Sequence, residues 1–311
     1  MNKRHAYLIM AHNEFDVLIE LLIDLDDERN DIYLHIDKKV ESFQEEKIQK
    51  SVARGNLYLI ERKFVNWGGY SQIDCELRLL ENALKNSNYS YYHLLTGVSF
   101  PIKSQNYIHN FFIRNSGKQF VGFDRSKDYG DRLRYVHLFN EIGKADSGYK
   151  IILYGVRSKF IKFQKLIGYR RIQTKGVTIK KGLVYWSITQ EAAKYLVDNK
   201  KKIKDLCRYS VCGDEMFVQT LLTNSEFSNS LYQGKDELGS CLRVVKPSIS
   251  YGEGKYIDWN GEVVHIAKEG DENVIAESDI DYLLRSDGLF ALKFGGENTL
   301  KTIKKIKLSR I

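Results

Sequence analysis

Proline is nearly absent: two residues in 311, too few for a Pro-rich linker between domains. Cysteine is sparse as well. Cys75, Cys207, Cys212 and Cys241 form no C-x-x-C pair, and no His follows at zinc-finger spacing. That argues against a zinc ribbon or a disulfide framework and reads as four reduced thiols of a cytosolic protein. No apolar run approaches the length needed to span a bilayer. The N-terminus runs straight into Ala6-Tyr7-Leu8-Ile9-Met10, so no secretory leader is expected. No internal repeat is present. Neither a Walker pattern nor G-x-G-x-x-G occurs, so phosphate binding by a glycine cradle is not indicated.

What is present fits a globular chain that could hold one large α/β domain or two small ones, and a single core is possible. Apolar content of 43% and charged content of 28% are ordinary for such a chain, and 311 residues suffice to bury about three quarters of the extended surface. The net charge of +8 suggests an acidic partner: a nucleotide, an anionic lipid surface or nucleic acid. Twenty tyrosines suit a cleft for sugars, although Tyr is equally at home in strands.

Strands and helices alternate. Ala6–Met10, Ile32–Ile36, Leu57–Ile60, Tyr91–Leu95 and Gln119–Phe123 read as strands. Between them, Asn13 is placed to cap a helix carrying Phe15, Leu18, Ile19, Leu22 and Leu25, and Ser71 one carrying Ile73, Leu77, Leu80 and Leu84. Ser104–Arg114 reads as a helix. Further on come a strand at Leu183–Ser187 and a helix capped by Thr189. This pattern predicts a mostly parallel sheet with helices on both faces and right-handed crossovers. In such sheets ligands bind beyond the carboxyl ends of the strands, which puts Ala11–Asn13 and Asp37–Lys39 at the mouth of a site.

Two basic segments stand out. Residues 156–175 interleave Lys and Arg with Phe160, Ile161, Phe163, Leu166 and Ile167, and read either as a solvated surface helix or as a peripheral membrane contact. The tail, 301–311, is either a frayed terminus or a second membrane-touching helix.

The chemistry centres on Cys212-Gly213-Asp214-Glu215-Met216-Phe217-Val218-Gln219-Thr220. Two neighbouring acids cannot point along the same helix face. One can face a cleft as a general base while the other caps the helix or meets solvent; a plain interaction with the helix dipole is the alternative. Asp37 suits a ribose hydroxyl or base N–H, or a salt bridge with Lys38 or Lys39. His12 suits a uridine edge, or a loop carbonyl. The two Asp-x-Asp elements, Asp24–Asp26 and Asp279–Asp281, fall inside helices rather than at strand ends, and read as solvated helix charges rather than metal ligands. Cationic side chains are the alternative to a metal for calming a departing diphosphate.

Taken in order, the motifs resemble one family. They are Ala6-Tyr7-Leu8-Ile9 with His12; Ile32-Tyr33-Leu34-His35-Ile36-Asp37-Lys38-Lys39; Trp67-Gly68-Gly69-Tyr70-Ser71; His93-Leu94-Leu95-Thr96-Gly97 with Phe100-Pro101; Gly182 through Tyr185-Trp186-Ser187; Asp214-Glu215-Met216-Phe217 with Thr220; Tyr256-Ile257-Asp258-Trp259; and Leu289-Phe290-Ala291-Leu292-Lys293-Phe294. The chain resembles the core-2/I-branching β-1,6-N-acetylglucosaminyltransferases and their xylosyltransferase relatives, in a compact bacterial form. The resemblance implies an α/β fold of the GT-A type with a Rossmann-like sheet. It implies one glycosyltransferase domain, 1–311, with a nucleotide-binding half (1–125) and an acceptor-binding, catalytic half (126–311). The reaction implied is inverting transfer from a UDP-sugar to an acceptor hydroxyl, with no metal or other cofactor. Glu215 aligns with the family's catalytic base and Lys293 with a diphosphate lysine. Lys255 stands where a diphosphate arginine is expected. His12, Asn13, Asp37, Lys39, Trp67 and Gly68 fall at nucleotide-site positions, and Tyr185, Trp186 and Asp214 where donor sugar and acceptor meet.

Several positions depart from the family pattern. Gly213 replaces a proline, which is expected to loosen the turn before the acids. Lys255 in place of Arg loses the bidentate fork. Ser99 and Leu292 stand where an acid and an Arg are common, and Val184 disfavours xylosyl transfer. The implied setting is cytoplasmic, peripheral to the inner face of the plasma membrane, in surface-polysaccharide synthesis on a lipid-linked glycan. The competing readings are a basic nucleic-acid- or membrane-binding protein without catalysis, and an inactive glycan-binding member of the family. No nucleic-acid module is recognisable, so no nucleic-acid partner is expected.

Overall fold

The computed structural model describes residues 4–124, 128–172, 176–233, 239–245, 255–257, 263–265 and 274–310. Its strands are β1 (His5–Ala11), β2 (Asn30–Ile36), β3 (Asn56–Leu59), β4 (Tyr91–Thr96), β5 (Ser99–Pro101), β6 (Phe120–Val121), β7 (Trp186–Thr189), β8 (Arg243–Val245), β9 (Lys255–Ile257), β10 (Val263–His265) and β11 (Phe290–Leu292). Its α-helices are α1 (Phe15–Leu25), α2 (Glu45–Lys50), α3 (Tyr70–Asn86), α4 (Gln105–Arg114), α5 (Asp131–Arg134), α6 (Gly148–Leu166), α7 (Gln190–Asp198), α8 (Lys200–Cys207), α9 (Phe217–Thr223), α10 (Ile280–Arg285) and α11 (Thr299–Ser309).

The central sheet has the order β3-β2-β1-β4-β7-β6. Its first four strands are parallel; β7 joins β4 antiparallel and β6 joins β7 antiparallel. The 3-2-1-4 order is that of a Rossmann-like sheet. Alternation along β1 divides the interior in two. Tyr7, Ile9 and Ala11 enter one core with α1, α4, α10 and α11, whereas Ala6 and Leu8 enter the other with α3, α7, α8 and α9. The expected α/β architecture with helices on both faces is therefore observed. A smaller sheet, β5-β11-β8, closes one end, and β9 and β10 form an antiparallel pair. All four cysteines are free.

Some local expectations are corrected. Asn13 does not cap α1; Glu14, in a left-handed conformation, precedes it and offers no side-chain cap. A cap is worth about 1 kcal/mol, whereas α1 buries Val17, Leu18, Leu21, Leu22 and Leu25 at roughly 1.5–3 kcal/mol each. Packing decides where α1 starts. Ser71 is not a cap either: α3 starts at Tyr70 after an extended Gly69. The Ser71 hydroxyl instead takes the Asn66 N–H at 2.8 Å and donates to Glu141 at 2.7 Å. Ser104 and Thr189 do cap α4 and α7. The strand expected at Leu183–Ser187 begins only at Trp186, because the Leu183 carbonyl is taken by the Gln219 amide on α9 at 2.6 Å.

The basic helix runs over Gly148–Leu166 rather than 156–175. Left-handed Gly168 ends it, with Tyr169 N–H returning to the Gln164 carbonyl at 2.9 Å. Lys175 lies outside the described residues, as do Asp258 and Trp259 and the side chain of Lys255. The tail is not frayed. Helix α11 buries Ile303 and Ile306, and pairs Lys307 with Glu20, Arg310 with Asp24 and Lys305 with Glu277. Those cations are occupied in closing the fold, while Lys304 stays exposed without an ion pair among the described residues.

The candidate active site

The carboxyl edge of the sheet gathers the predicted residues. Strand β1 ends at Ala11, followed by His12 and Asn13; β2 ends at Ile36, followed by Asp37. The two exits are tied by Asp37 N–H to the Ala11 carbonyl, 2.9 Å. Strand β4 delivers Thr96 to the same edge. Because β7 is antiparallel to β4, it is its start, with Tyr185, that arrives there. The Tyr185 phenol sits beside the Thr96 hydroxyl and is pushed up to about 12, mainly by burial. Lys293 follows β11, fixed by Phe294 N–H to the Val98 carbonyl, 2.9 Å.

One rim is cationic. Burial draws the His12 imidazole below its ordinary pKa, Asp37 opposes this, and Lys39, Lys144 and Lys293 reinforce it. Lys144, which the sequence did not single out, lies 5.8 Å from the centre of the half-exposed Trp67 ring. Lys39 Nζ reaches Asp37 Oδ2 at 3.4 Å, and Asp37 Oδ1 accepts the Lys39 N–H at 2.9 Å. Asp37 is thus used in its own turn while its strand-end position is kept.

The adjoining wall carries the acids. Cys212 N–H donates to the Gly68 carbonyl at 2.8 Å, so the Trp67-Gly68-Gly69 loop and the Asp214-Glu215 turn form one wall. The turn is a 3-10 turn over Gly213–Glu215, followed by α9. Gly213 does not loosen it: a Cβ there would lie 2.4 Å from Ser210 Oγ, so the turn is packed solid. Gly182 is needed more stringently. A Cβ there would come within 1.7 Å of the Gly122 carbonyl oxygen, and its N–H holds the Glu215 carbonyl at 2.8 Å.

The two acids point apart as expected, but Asp214 neither caps the helix nor meets solvent. Glu215 is partly exposed and its carboxylate is anchored through one oxygen. Oε2 accepts from Arg132 at 2.6 Å and lies 3.5 Å from Lys181. Oε1 has no partner among the described residues. Arg132 and Lys181 flank the Tyr129 ring at 5.3 and 4.7 Å, and Lys181 also reaches Asp124 at 3.2 Å. Asp214 is only 4% exposed, with Oδ1 unpartnered. Burial, and then the Glu215 charge, push its carboxyl up to about 7. Behind it lies fully buried Glu76, raised well above the carboxylate range by burial and then by Asp214. Glu76 Oε2 accepts the Trp186 indole N–H at 3.3 Å.

Two predicted sugar-facing residues are corrected by burial. Trp186 is 0% exposed; its indole supports Glu76 behind the acids instead of lining a cleft. Asp214 likewise lies beneath the surface, 4% exposed. Three of the four Asp-x-Asp acids are structural rather than solvated: Asp24 pairs with Arg310, Asp26 accepts the Arg54 and Gly55 N–H groups, and Asp279 accepts the Ala276 N–H, while Asp281 is exposed, as expected. Among the described residues no group of three His, Cys, Asp or Glu side chains is placed to hold a metal. Clefts of about 710 and 430 Å3 elsewhere are lined by none of the predicted residues.

The Asp214 carboxyl gives a pH-dependent prediction. Between about pH 4 and pH 7 the unfolded chain has released this proton and the folded chain retains it, so folded stability falls as pH rises through that window. Over about three units this is on the order of 4 kcal/mol. The stability of Asp214→Asn relative to the native protein should therefore rise between pH 5 and pH 8 in urea unfolding. An unchanged gap would show that Asp214 ionises normally.

A search of curated proteins finds no match. Among solved structures, the chain is similar to the crystal structure of mouse xyloside xylosyltransferase 1 in its apo form: 10% identity, TM-score 0.34, covering 95% of this chain and 99% of that one. The family model described as Core-2/I-Branching enzyme matches residues 5–282, a span holding both rims of the cleft apart from Lys293. The chain belongs to the Core-2/I-branching enzyme family, and is a glycosyltransferase that moves a sugar from a nucleotide-sugar donor to a glycan acceptor.

Proposed function

We propose that the cleft binds a UDP-sugar, with N-acetylglucosamine as the donor sugar, and transfers it with inversion and without a metal to a hydroxyl of a lipid-linked glycan in bacterial surface-polysaccharide synthesis. The observation that carries this reading is the one-sided anchoring of Glu215 by Arg132 and Lys181, which leaves Oε1 open. A general base must be held in one orientation and yet be reachable. The Asp214 carboxyl is pushed up to about 7, but burial keeps it from a substrate.

In this mechanism Glu215 Oε1 accepts the proton of the acceptor hydroxyl as that oxygen attacks the anomeric carbon. The carbon–oxygen bond to the diphosphate breaks on the opposite face, and its electron pair leaves with UDP. A single displacement inverts the centre. Lys144 and Lys293, with Lys255 assigned by resemblance, offset the charge developing on the diphosphate. His12, Asn13, Asp37 and Lys39 meet the uridine, and Trp67 and Gly68 form the wall beside it. Tyr185 lines the sugar side. The protein works at the cytoplasmic face of the membrane.

The test is UDP release from a panel of UDP-sugars, with glycan acceptor, in excess EDTA. Turnover with UDP-N-acetylglucosamine should be undiminished. A strict requirement for added manganese would overturn the cationic mechanism.

A further inference from the structure

Helix α6 is built the wrong way round for a helix facing water. Its buried residues are Arg157 and Gln164. Arg157 Nε donates to the Leu138 carbonyl at 2.8 Å, and the Gln164 amide pairs with both backbone groups of Val136 at 2.9 and 3.0 Å. On the outside, Tyr149, Ile152, Val156, Phe163, Leu166 and Ile167 are 63, 68, 42, 53, 84 and 58% exposed. Their spacing places them on one stripe of a helix about 28 Å long. An ordinary surface helix buries such a stripe and exposes its polar face. Contiguous exposed apolar patches of this kind mark a contact.

Charge identifies the occupant. Between Asp146 and Glu191 the chain contains ten Lys or Arg and no Asp or Glu. Lys159, beside the stripe, together with Lys162 and Arg170, is exposed and makes no ion pair among the described residues. A second copy of this chain would bring like charges face to face across the symmetric contact. An anionic bilayer surface accepts both the apolar stripe and the cations. No helix among the described residues is long and apolar enough to cross a membrane, so α6 would lie in the interface plane.

We infer that α6 is an interfacial helix that seats the protein on an anionic lipid surface. It packs on residues 136–139, between Arg132 on the acid rim and Lys144 on the cationic rim. Seating it would hold the cleft at a fixed height beside the headgroups, where a lipid-linked acceptor is presented. The seating itself does not depend on the catalytic reading.

The experiment is sedimentation of the full chain with vesicles of phosphatidylcholine alone and with vesicles that also contain phosphatidylglycerol. The native protein should pellet with the anionic vesicles at least about tenfold more strongly than with the neutral ones. Ile152→Glu with Phe163→Glu should abolish this. Lys159→Glu with Lys162→Glu should weaken it and remove most of its salt sensitivity. Both pairs alter exposed side chains, so their melting temperatures should match the native protein and UDP binding should be retained. Native protein that stays in the supernatant with anionic vesicles, or Ile152→Glu/Phe163→Glu protein that pellets as well as native, would overturn the proposal. So would micromolar self-association abolished by the same variants, which would give the stripe to a second copy.

Discussion

Glu215→Gln should lower kcat by about 10²–10⁴-fold, the contribution of a positioned base, while changing UDP affinity by no more than about twofold. The amide keeps the shape and can still accept from Arg132 through one oxygen, but it cannot take the acceptor's proton. The Arg132 and Lys181 contacts fall on Oε2, and none of them involves His12, Lys144 or Lys293, so the replacement leaves those groups undisturbed. Asp214→Asn is the internal control. It removes a buried carboxyl and, on the proposed mechanism, should retain far more activity than Glu215→Gln. If Glu215→Gln turned over at a near-native rate while Asp214→Asn was dead, the roles assigned to the two acids would be reversed.

Replacing Lys293 or Lys144 by Ala should weaken UDP binding by about tenfold each, and the double variant by more. A hydrogen bond to a charged group contributes about 1.5–3 kcal/mol; the lower end suits side chains that remain open to solvent and are screened by it, and 1.4 kcal/mol is tenfold. Lys293 stands clear of the surface after β11, and Lys144 lies over Trp67. Both already act on the His12 imidazole, so both are close enough to act on a ligand beside it. The affinity of uridine, which has no phosphate, should be nearly unchanged, and the loss for UDP should shrink as salt is raised. Equal losses for uridine and UDP would mean that these lysines shape the pocket instead of meeting the diphosphate.

How far the site was legible in the sequence depends on whether a residue acts through local order or through long-range contact. Glu215 could be found from its neighbours: two acids before an apolar helix must diverge, and the structure exposes one and buries the other. His12 and Asp37 could be found because a short apolar run, read as a buried parallel strand, puts its carboxyl end at the ligand edge. Arg132, Lys181 and Lys144 could not. They stand in unremarkable basic stretches, and 83, 34 and 77 residues respectively separate Arg132 from Glu215, Lys181 from Glu215 and Lys144 from Trp67. Trp186 misled for a related reason. Its motif neighbours do reach the cleft, but alternation along β7 turns its ring inward onto Glu76.

Helix α6 shows the same limit at a larger scale. Its sequence is visibly basic and amphipathic. Which side faces the protein was decided by the carbonyls of residues 136–139, which take Arg157 and leave the apolar stripe outside.

The sequence by itself determined the alternation of strands and helices and the acid pair, because period and propensity act over a few residues. The tertiary structure alone decided which charge meets which. Ion pairs and buried carboxyls depend on distance and desolvation, and the chain sets those only when remote segments close on one another.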